Sequence, residues 1–180
     1  MPDQAPAALL RQRVEQQYPD AIVATVSRAA APATPAKKGE PSQVNLLATD
    51  DLVVQPQAIP AVARLIRDEL GFALLTNLTA IDYLADQVIE VAYHFANLRG
   101  GAPLVLKTRL PRSEPRVPSL TPWWPGADFQ EREAFDLFGV EFEGHPRLRR
   151  IYMWDEFEGF PMRKDFPKHG DKYFGDTGEG

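Results

Sequence analysis

The densest run of chemistry-bearing residues is Glu131-Arg132-Glu133-Ala134-Phe135-Asp136, with His145 following nine positions later. Paired carboxylates beside a histidine are the raw material of acid–base catalysis. A metal site would need ligands on one helical face. Glu133 and Asp136 (i, i+3) meet that condition, but no histidine stands three or four residues from either. Glu131 falls on the same face as Phe135 and Phe138, which implies burial and therefore a partner. The alternative to both chemistries is structural: the acids pair with Arg132, Arg147, Arg149 or Arg150 and lock a helix to the chain that follows.

Other candidates are more isolated. His145 lies between Gly144 and Pro146, a turn in which a histidine commonly bonds backbone carbonyls. His94 sits in a strand-like pattern and His169 near a charged end, each without a partner at ligand spacing. The run Arg147-Leu148-Arg149-Arg150 lacks the neighbouring basic stripe that nucleic-acid binding needs. Trp123-Trp124 fits packing beside a helix start. No Gly-rich phosphate loop, nucleophile elbow or dinucleotide fingerprint is present.

Three kinds of element would position these residues. Residues 5–18 carry Ala8, Leu9, Leu10, Val14 and Tyr18 at helical spacing, stopped by Pro19-Asp20, and Ala21 to Ser27 reads as a strand. An Ala/Pro-rich loop spans 29–43. Strand character returns at Val44 to Ala48 and Leu52 to Val54, and Pro60 opens a short helix, Ala61 to Leu70, closed by Gly71. Phe72 to Leu84, broken at Asn77, and the alternating runs Val88 to Leu98 and Pro103 to Leu110 across Gly100-Gly101 predict strands, the last two as a hairpin. Lys107 and Arg109 would face away from Leu106, Thr108 and Leu110. The helix bearing the acidic cluster ends at Gly139. The expected class is α+β: a two-layer domain with a small mixed sheet and helices on one face, followed by an extended C-terminal docking tail. Its parts are 1–28 (helix and strand), 29–43 (loop), 44–142 (the rest of the domain) and 143–180 (the tail).

Composition sets limits on function. The chain has 180 residues, 44% of them apolar and 25% charged, suited to one globular domain with tails. A net charge of -5 speaks against nucleic acid or anionic lipid as a broad partner. Cysteine is absent, which removes disulfides and thiolate-ligated zinc or iron–sulfur centres. No apolar run approaches the roughly 18–20 residues that span a bilayer. The N-terminus has no basic start with an apolar stretch behind it, so no signal peptide is expected. Beyond Phe142, isolated apolar residues (among them Trp154, Phe157, Phe160 and Phe166) follow no period. They are expected to lack an internal layer and to find burial on another protein.

EREAFDLFGVEFEGHPRLRRIY, from Glu131 to Tyr152, resembles the signature of the C-subunit family of proton-pumping NADH:quinone oxidoreductase, respiratory complex I. The resemblance rests on Glu131-Arg132-Glu133, Asp136, Leu137-Phe138, His145, and Arg149 before Ile151-Tyr152. FALLTNLTAIDYL (72–84), VPSLTPWWPGA (117–127) and GFPMRKDFP (159–167) resemble its flanking segments, so that the likeness covers about residues 71–167. Phe160 stands where the family often has histidine and Met162 where leucine is usual; Arg163-Lys164-Asp165 is intact. The Ala/Pro-rich stretch has no counterpart. The resemblance implies a two-layer α/β domain whose C-terminal part wraps the neighbouring D subunit near the quinone-reducing region. It places the chain in the peripheral arm, on the cytoplasmic side of the bacterial inner membrane, attached to that membrane through its partners. It also implies a redox-silent chain, with NADH, flavin, iron–sulfur clusters and quinone held by other subunits. Glu131, Arg132, Glu133, Asp136, Leu137, Phe138, His145, Arg149, Ile151 and Tyr152 would then form a structural brace. Arg147, Arg150, Trp154, Phe157, Phe160, Arg163, Lys164, Asp165 and Phe166 would form the docking tail. Similar subunits occur in membrane-bound hydrogenases and ferredoxin-fed relatives, and a self-contained acid–base or metal enzyme is the alternative of a different class.

Overall fold

Alternation in the hairpin sequence builds the centre of the fold. In the computed structural model, which describes residues 5–25 and 49–167, β3 (Val88–Ala96) and β4 (Leu104–Pro111) pair antiparallel. Period-2 geometry puts Ile89, Val91, Tyr93 and Phe95 of β3 on one face, opposite Leu110, Thr108, Leu106 and Leu104 of β4. All eight are buried. β2 (Leu74–Tyr83) pairs antiparallel with β3, and β1 (Leu52–Val54) pairs parallel with β4, giving a mixed sheet in the order β1-β4-β3-β2. Asn77 does not end β2; the register slips there by one residue and the strand continues.

Among the described residues, three helices cover that apolar face. α1 (Pro6–Gln17) contributes Leu10 and Val14, and α2 (Ile59–Asp68) contributes Ile59, Val62, Ala63, Leu65 and Ile66. α3 (Ala127–Phe138) contributes Ala127 and Ala134. α2 starts two residues before the expected Ala61, because Pro60 fits the first turn, where its missing N–H leaves nothing unpaired. Gly71, at φ +76°, turns the chain back so that the Phe72 N–H caps the Ile66 carbonyl at 3.1 Å.

The other face of the sheet is charged. Glu90 is buried between Arg109, at 3.0 Å, and Lys107, at 3.4 Å, and Lys107 also meets Asp51 at 2.9 Å. Lys107 and Arg109 thus lie opposite the Leu106, Thr108 and Leu110 face.

Two details depart from the sequence reading. Over 21–25 there is no strand: Pro19–Ala21 is a 3₁₀ turn, and Ile22 makes only an isolated bridge to Val54. The proline-led turn removes Ala21 from extended geometry. A second, two-stranded parallel sheet, β5 (Arg116–Pro118) with β6 (Glu141–Glu143), has no counterpart in the expected elements, and β6 reaches one residue into the segment assigned to the tail. The strand expected at Val44 to Ala48, the Ala/Pro-rich loop and the chain beyond Pro167 lie outside the described residues.

Candidate functional site

α3 is the organising element, and its two faces do different things. Gly139, at φ +75°, ends it, with its N–H on the Phe135 carbonyl at 2.8 Å and the Val140 N–H reaching the Ala134 carbonyl at 3.4 Å. Glu131 and Asp136 are both completely buried, on different sides of the helix, and Glu133 is exposed.

Glu131 faces the core. Its carboxylate takes the Ser119 hydroxyl at 2.6 Å and the Leu120 backbone N–H at 2.7 Å, and the Ser119 hydroxyl also meets that of Thr121 at 2.7 Å. The expectation that this acid pairs with an arginine is therefore corrected. Its partners are a hydroxyl and an amide, both neutral. Burial pushes Glu131 up to about 7, with a smaller push from Asp128, against the opposing pull of Ser119 and Leu120. The nearby Tyr93 phenol is pushed well up in turn, first by burial and then by the charge of Glu131.

Asp136 faces the C-terminal strap, residues 145–167. One oxygen accepts Arg150 Nη1 at 2.6 Å; the other accepts the backbone N–H groups of Ile151, Tyr152 and Met153 at 2.9, 2.7 and 3.0 Å. Successive amides converging on one carboxylate form an anion nest. Burial alone would raise Asp136, but the Tyr152 and Met153 amides, Arg150 and the Ile151 amide together outweigh it and hold the carboxyl below its ordinary value. Arg150 is also fully engaged with backbone: Nη1 reaches the Asp136 carbonyl, and Nη2 the Phe157 and Gly159 carbonyls, all at 3.0 Å.

The remaining signature residues support this junction. Buried Arg132 donates to the Arg149 and Arg150 carbonyls at 3.2 and 3.4 Å and lies over the Phe129 ring. The Leu137 carbonyl accepts the Met162 N–H at 3.1 Å, and the Phe138 carbonyl accepts Arg163 Nε at 2.7 Å. His145 accepts the Arg147 N–H on Nδ1 at 3.0 Å, which leaves Nε2 to donate to the Asp128 carbonyl at 3.3 Å. Tyr152 makes a long contact, 3.4 Å, from its hydroxyl to Glu133. Arg147 and Arg149 are exposed.

A second attachment holds the far end of the strap. Asp82, buried on β2, forms a two-point bridge with Arg112 at 2.7 and 3.2 Å and accepts the Lys164 backbone N–H at 2.8 Å. Arg112 also binds Asp165, and the Lys164 ammonium sits 5.8 Å from the centre of the Tyr83 ring. Asp82 too is held below its usual range, since Arg112 and the Lys164 amide outweigh the lift from burial. Sequence reasoning missed Asp82 and Arg112. A signal for Asp82 existed, because an acid in step with Leu78 and Ala80 belongs to the core face and must have a partner there.

The aromatics of the strap are not without internal partners, contrary to the expectation from their lack of period. Trp154 meets Phe157 edge-on at 4.9 Å, Phe157 stacks on Phe166 at 5.8 Å, and Phe160 lies beneath Arg150 and Arg163. Phe160 also fills the space over Gly139, where an added Cβ would come within 2.5 Å of the ring. Cations and backbone amides supply the second layer that apolar periodicity would otherwise reveal. The segment is a set of pinned turns rather than an extended chain.

The residues of the acid–base alternative do not converge. Glu131 points into the core, Glu133 into solvent, and His145 onto the backbone of Asp128. Among the described residues no three His, Cys, Asp or Glu side chains are placed to hold a metal ion. No helix among them is long and apolar enough to cross a membrane.

Comparison with known proteins matches residues 52–172 to the family described as "Respiratory-chain NADH dehydrogenase, 30 Kd subunit". The C subunit of the NADH-quinone oxidoreductase of Moorella thermoacetica is 49% identical over 115 residues, which cover 64% of this chain and 78% of the relative. The protein of the same name from a Roseiflexus species is 47% identical over 117 residues, covering 63% and 67%. Among solved structures, a chain of the membrane-bound sulfane sulfur reductase, an archaeal respiratory membrane complex, superposes with a TM-score of 0.63. It is 25% identical, with 89% of this chain and 85% of that one covered.

Proposed function

The chain belongs to the respiratory-chain NADH dehydrogenase 30 Kd subunit family, that of the C subunit of NADH-quinone oxidoreductase, and from this membership we propose that it is a redox-silent structural subunit of the peripheral arm. It supports electron transfer from NADH to quinone, coupled to proton translocation, without performing a step of it. Flavin, iron–sulfur clusters and the NADH and quinone sites belong to other subunits. Its neighbour is the D subunit, on the cytoplasmic side of the inner membrane, and its contact with the membrane runs through the complex.

The observation that carries this reading is how the signature acids are used. Asp136 accepts three amides and a guanidinium from the strap, and Glu131 is closed inside the core by Ser119 and Leu120. Neither carboxylate opens onto a cleft where a substrate would meet it. What they build is a rigid strap with outward-facing aromatic residues, as a docking element requires. The absence of cysteine removes thiolate ligation as a route to a bound iron–sulfur cluster.

A second reading is the equivalent subunit of a related assembly, such as a membrane-bound hydrogenase or a ferredoxin-fed complex. It is favoured by the fold shared with the sulfane sulfur reductase chain over 89% of this one. Affinity purification of the tagged chain from its host, with identification of what accompanies it, tests both. NADH-binding and D subunits are the expected partners. Hydrogenase or sulfur-reductase subunits would move the assignment to the second reading. A chain that purifies alone and turns over a substrate would overturn both.

A further inference from the structure

Charge is divided along the strap: Arg150 and Arg163 turn inward, Arg147, Arg149 and Lys164 are exposed, and the turn at 154–158 holds its carboxylates out. Arg150 is taken up by Asp136 and by the Phe157 and Gly159 carbonyls, and Arg163 by the Phe138 carbonyl. Asp155, Glu156 and Glu158, in contrast, are exposed, and none has an ion pair or hydrogen bond among the described residues. Asp155 and Glu156 occupy the tip of a turn closed by the Phe157 N–H on the Trp154 carbonyl at 3.0 Å. Three like charges within four residues repel one another, a cost that a cationic partner would cancel.

The same turn holds out an aromatic side chain. Trp154 remains 51% exposed and Tyr152, two residues before it, 59%. The orientation of Trp154 is set from below: its ring stands edge-on to Phe157, which is fixed by stacking on Phe166 and by the Arg150 guanidinium 5.6 Å above it. A surface fixed before contact loses little conformational freedom on binding. An exposed Trp followed within four residues by three carboxylates without a partner among the described residues suits a guanidinium or ammonium, a cation that favours both an aromatic face and acids.

We propose that the Trp154–Glu158 turn docks a basic, Arg- or Lys-bearing surface of the neighbouring subunit, with Trp154 as the anchor and Asp155, Glu156 and Glu158 as the charge partners. The proposal rests on the reading of the strap as a docking element. It adds the sign of the partner's surface and the turn that meets it.

The test is co-expression of this chain with a tagged D subunit of the same complex, measuring the fraction retained at low and high salt. The D155K/E156K/E158K variant should lose about tenfold or more in association at low salt, and the loss should shrink as salt screens the charges. The neutral D155N/E156Q/E158Q variant should fall between it and the parent, and Trp154→Ala should lose association at both salts. Amide exchange at Ile151, Tyr152 and Met153 reports whether the strap is still seated in each variant. If the charge reversals leave association and its salt dependence unchanged while Trp154→Ala or Asp136→Ala weakens it, the strap docks but its partner surface is not basic, and the proposal fails. If every variant, Asp136→Ala included, associates like the parent, the docking reading itself fails.

Discussion

The Asp136 carboxylate and the Arg150 guanidinium, fourteen residues apart in the chain, meet at 2.6 Å, and the next three backbone amides close on the other oxygen of the same carboxylate. One side chain of α3 thereby fixes the direction in which the chain leaves the domain. Its loss has a local and a global component, and these separate experimentally.

Asp136→Ala leaves a mostly buried guanidinium without its counter-charge and three amides without their acceptor. Breaking a buried pair from one side costs about 3–5 kcal/mol. Much of that cost is escaped if the strap lifts away and exposes the stranded groups to water. The expected outcome is rapid protease cleavage between residues 145 and 167, with the sheet domain still folded. A strap as resistant as the parent's would show that Asp136 is not its main anchor.

Acid should release the strap in the same way. Asp136 and Asp82 are both held below the ordinary aspartate value of 3.8, so the stabilisation they give is complete above that value. It is lost as pH falls through their depressed folded values, because protonation removes the attraction of each carboxylate for Arg150 or Arg112. Trp154 fluorescence and amide exchange at Met153 should both change below pH 3.8, and the parent and Asp136→Asn should converge there.

Glu131 has the opposite sign. Its folded value, about 7, lies above its ordinary 4.5, so the folded chain keeps a proton that the unfolded chain has already lost. Stability is therefore full below 4.5 and declines as pH rises through about 7, by a total on the order of 3 kcal/mol. Glu131→Gln should flatten this dependence and match or exceed the parent at about pH 8, as read by denaturant melts. Glu131→Ala strands the Ser119 hydroxyl and the Leu120 N–H, at about 1–3 kcal/mol each. It should lower the amount of assembled complex while leaving turnover per assembled complex intact. Normal assembly with lost turnover would point to direct catalysis instead.

Gly139→Ala meets two obstacles. The φ of +75° costs an L-residue about 1–2 kcal/mol, and the new methyl would come within 2.5 Å of the Phe160 ring. Displacing Phe160 takes it from beneath Arg150 and Arg163. Thermal melts should fall by several degrees, with protection lost first at Met162 and Arg163. A melt equal to the parent's would mean that Phe160 moves freely.

Much of the sheet is legible in its residues, because apolar side chains at period 2 record the buried face. Leu106, Thr108 and Leu110 against Lys107 and Arg109 is one such record. α2 is legible from its helical spacing and the stop at Gly139 from a residue that accepts positive φ without strain. The parallel pairing of β1 with β4 is not, since three apolar residues in a row carry no sign of direction. The order of the strap is hidden for a different reason. Ile151, Tyr152 and Met153 are held by their backbone N–H groups, and a backbone amide is the same whatever residue bears it. The neutral environment of Glu131 is hidden likewise, because half of it is the amide of Leu120.

The Lys164 N–H that closes on Asp82 comes eighty-two residues after it. Ribosomal synthesis runs from N- to C-terminus, so Asp82 emerges long before the residue it will hold. Arg112 arrives thirty residues after Asp82 and can pair with it first, leaving a finished socket that waits for Lys164 and Asp165. A copy cut short before those residues could still build its sheet and close the Asp136 nest, but its socket would stay empty and the far end of its strap unpinned. The filling of that socket thus waits until synthesis has passed Asp165, which makes the far end of the strap the last of the described segments to be fixed.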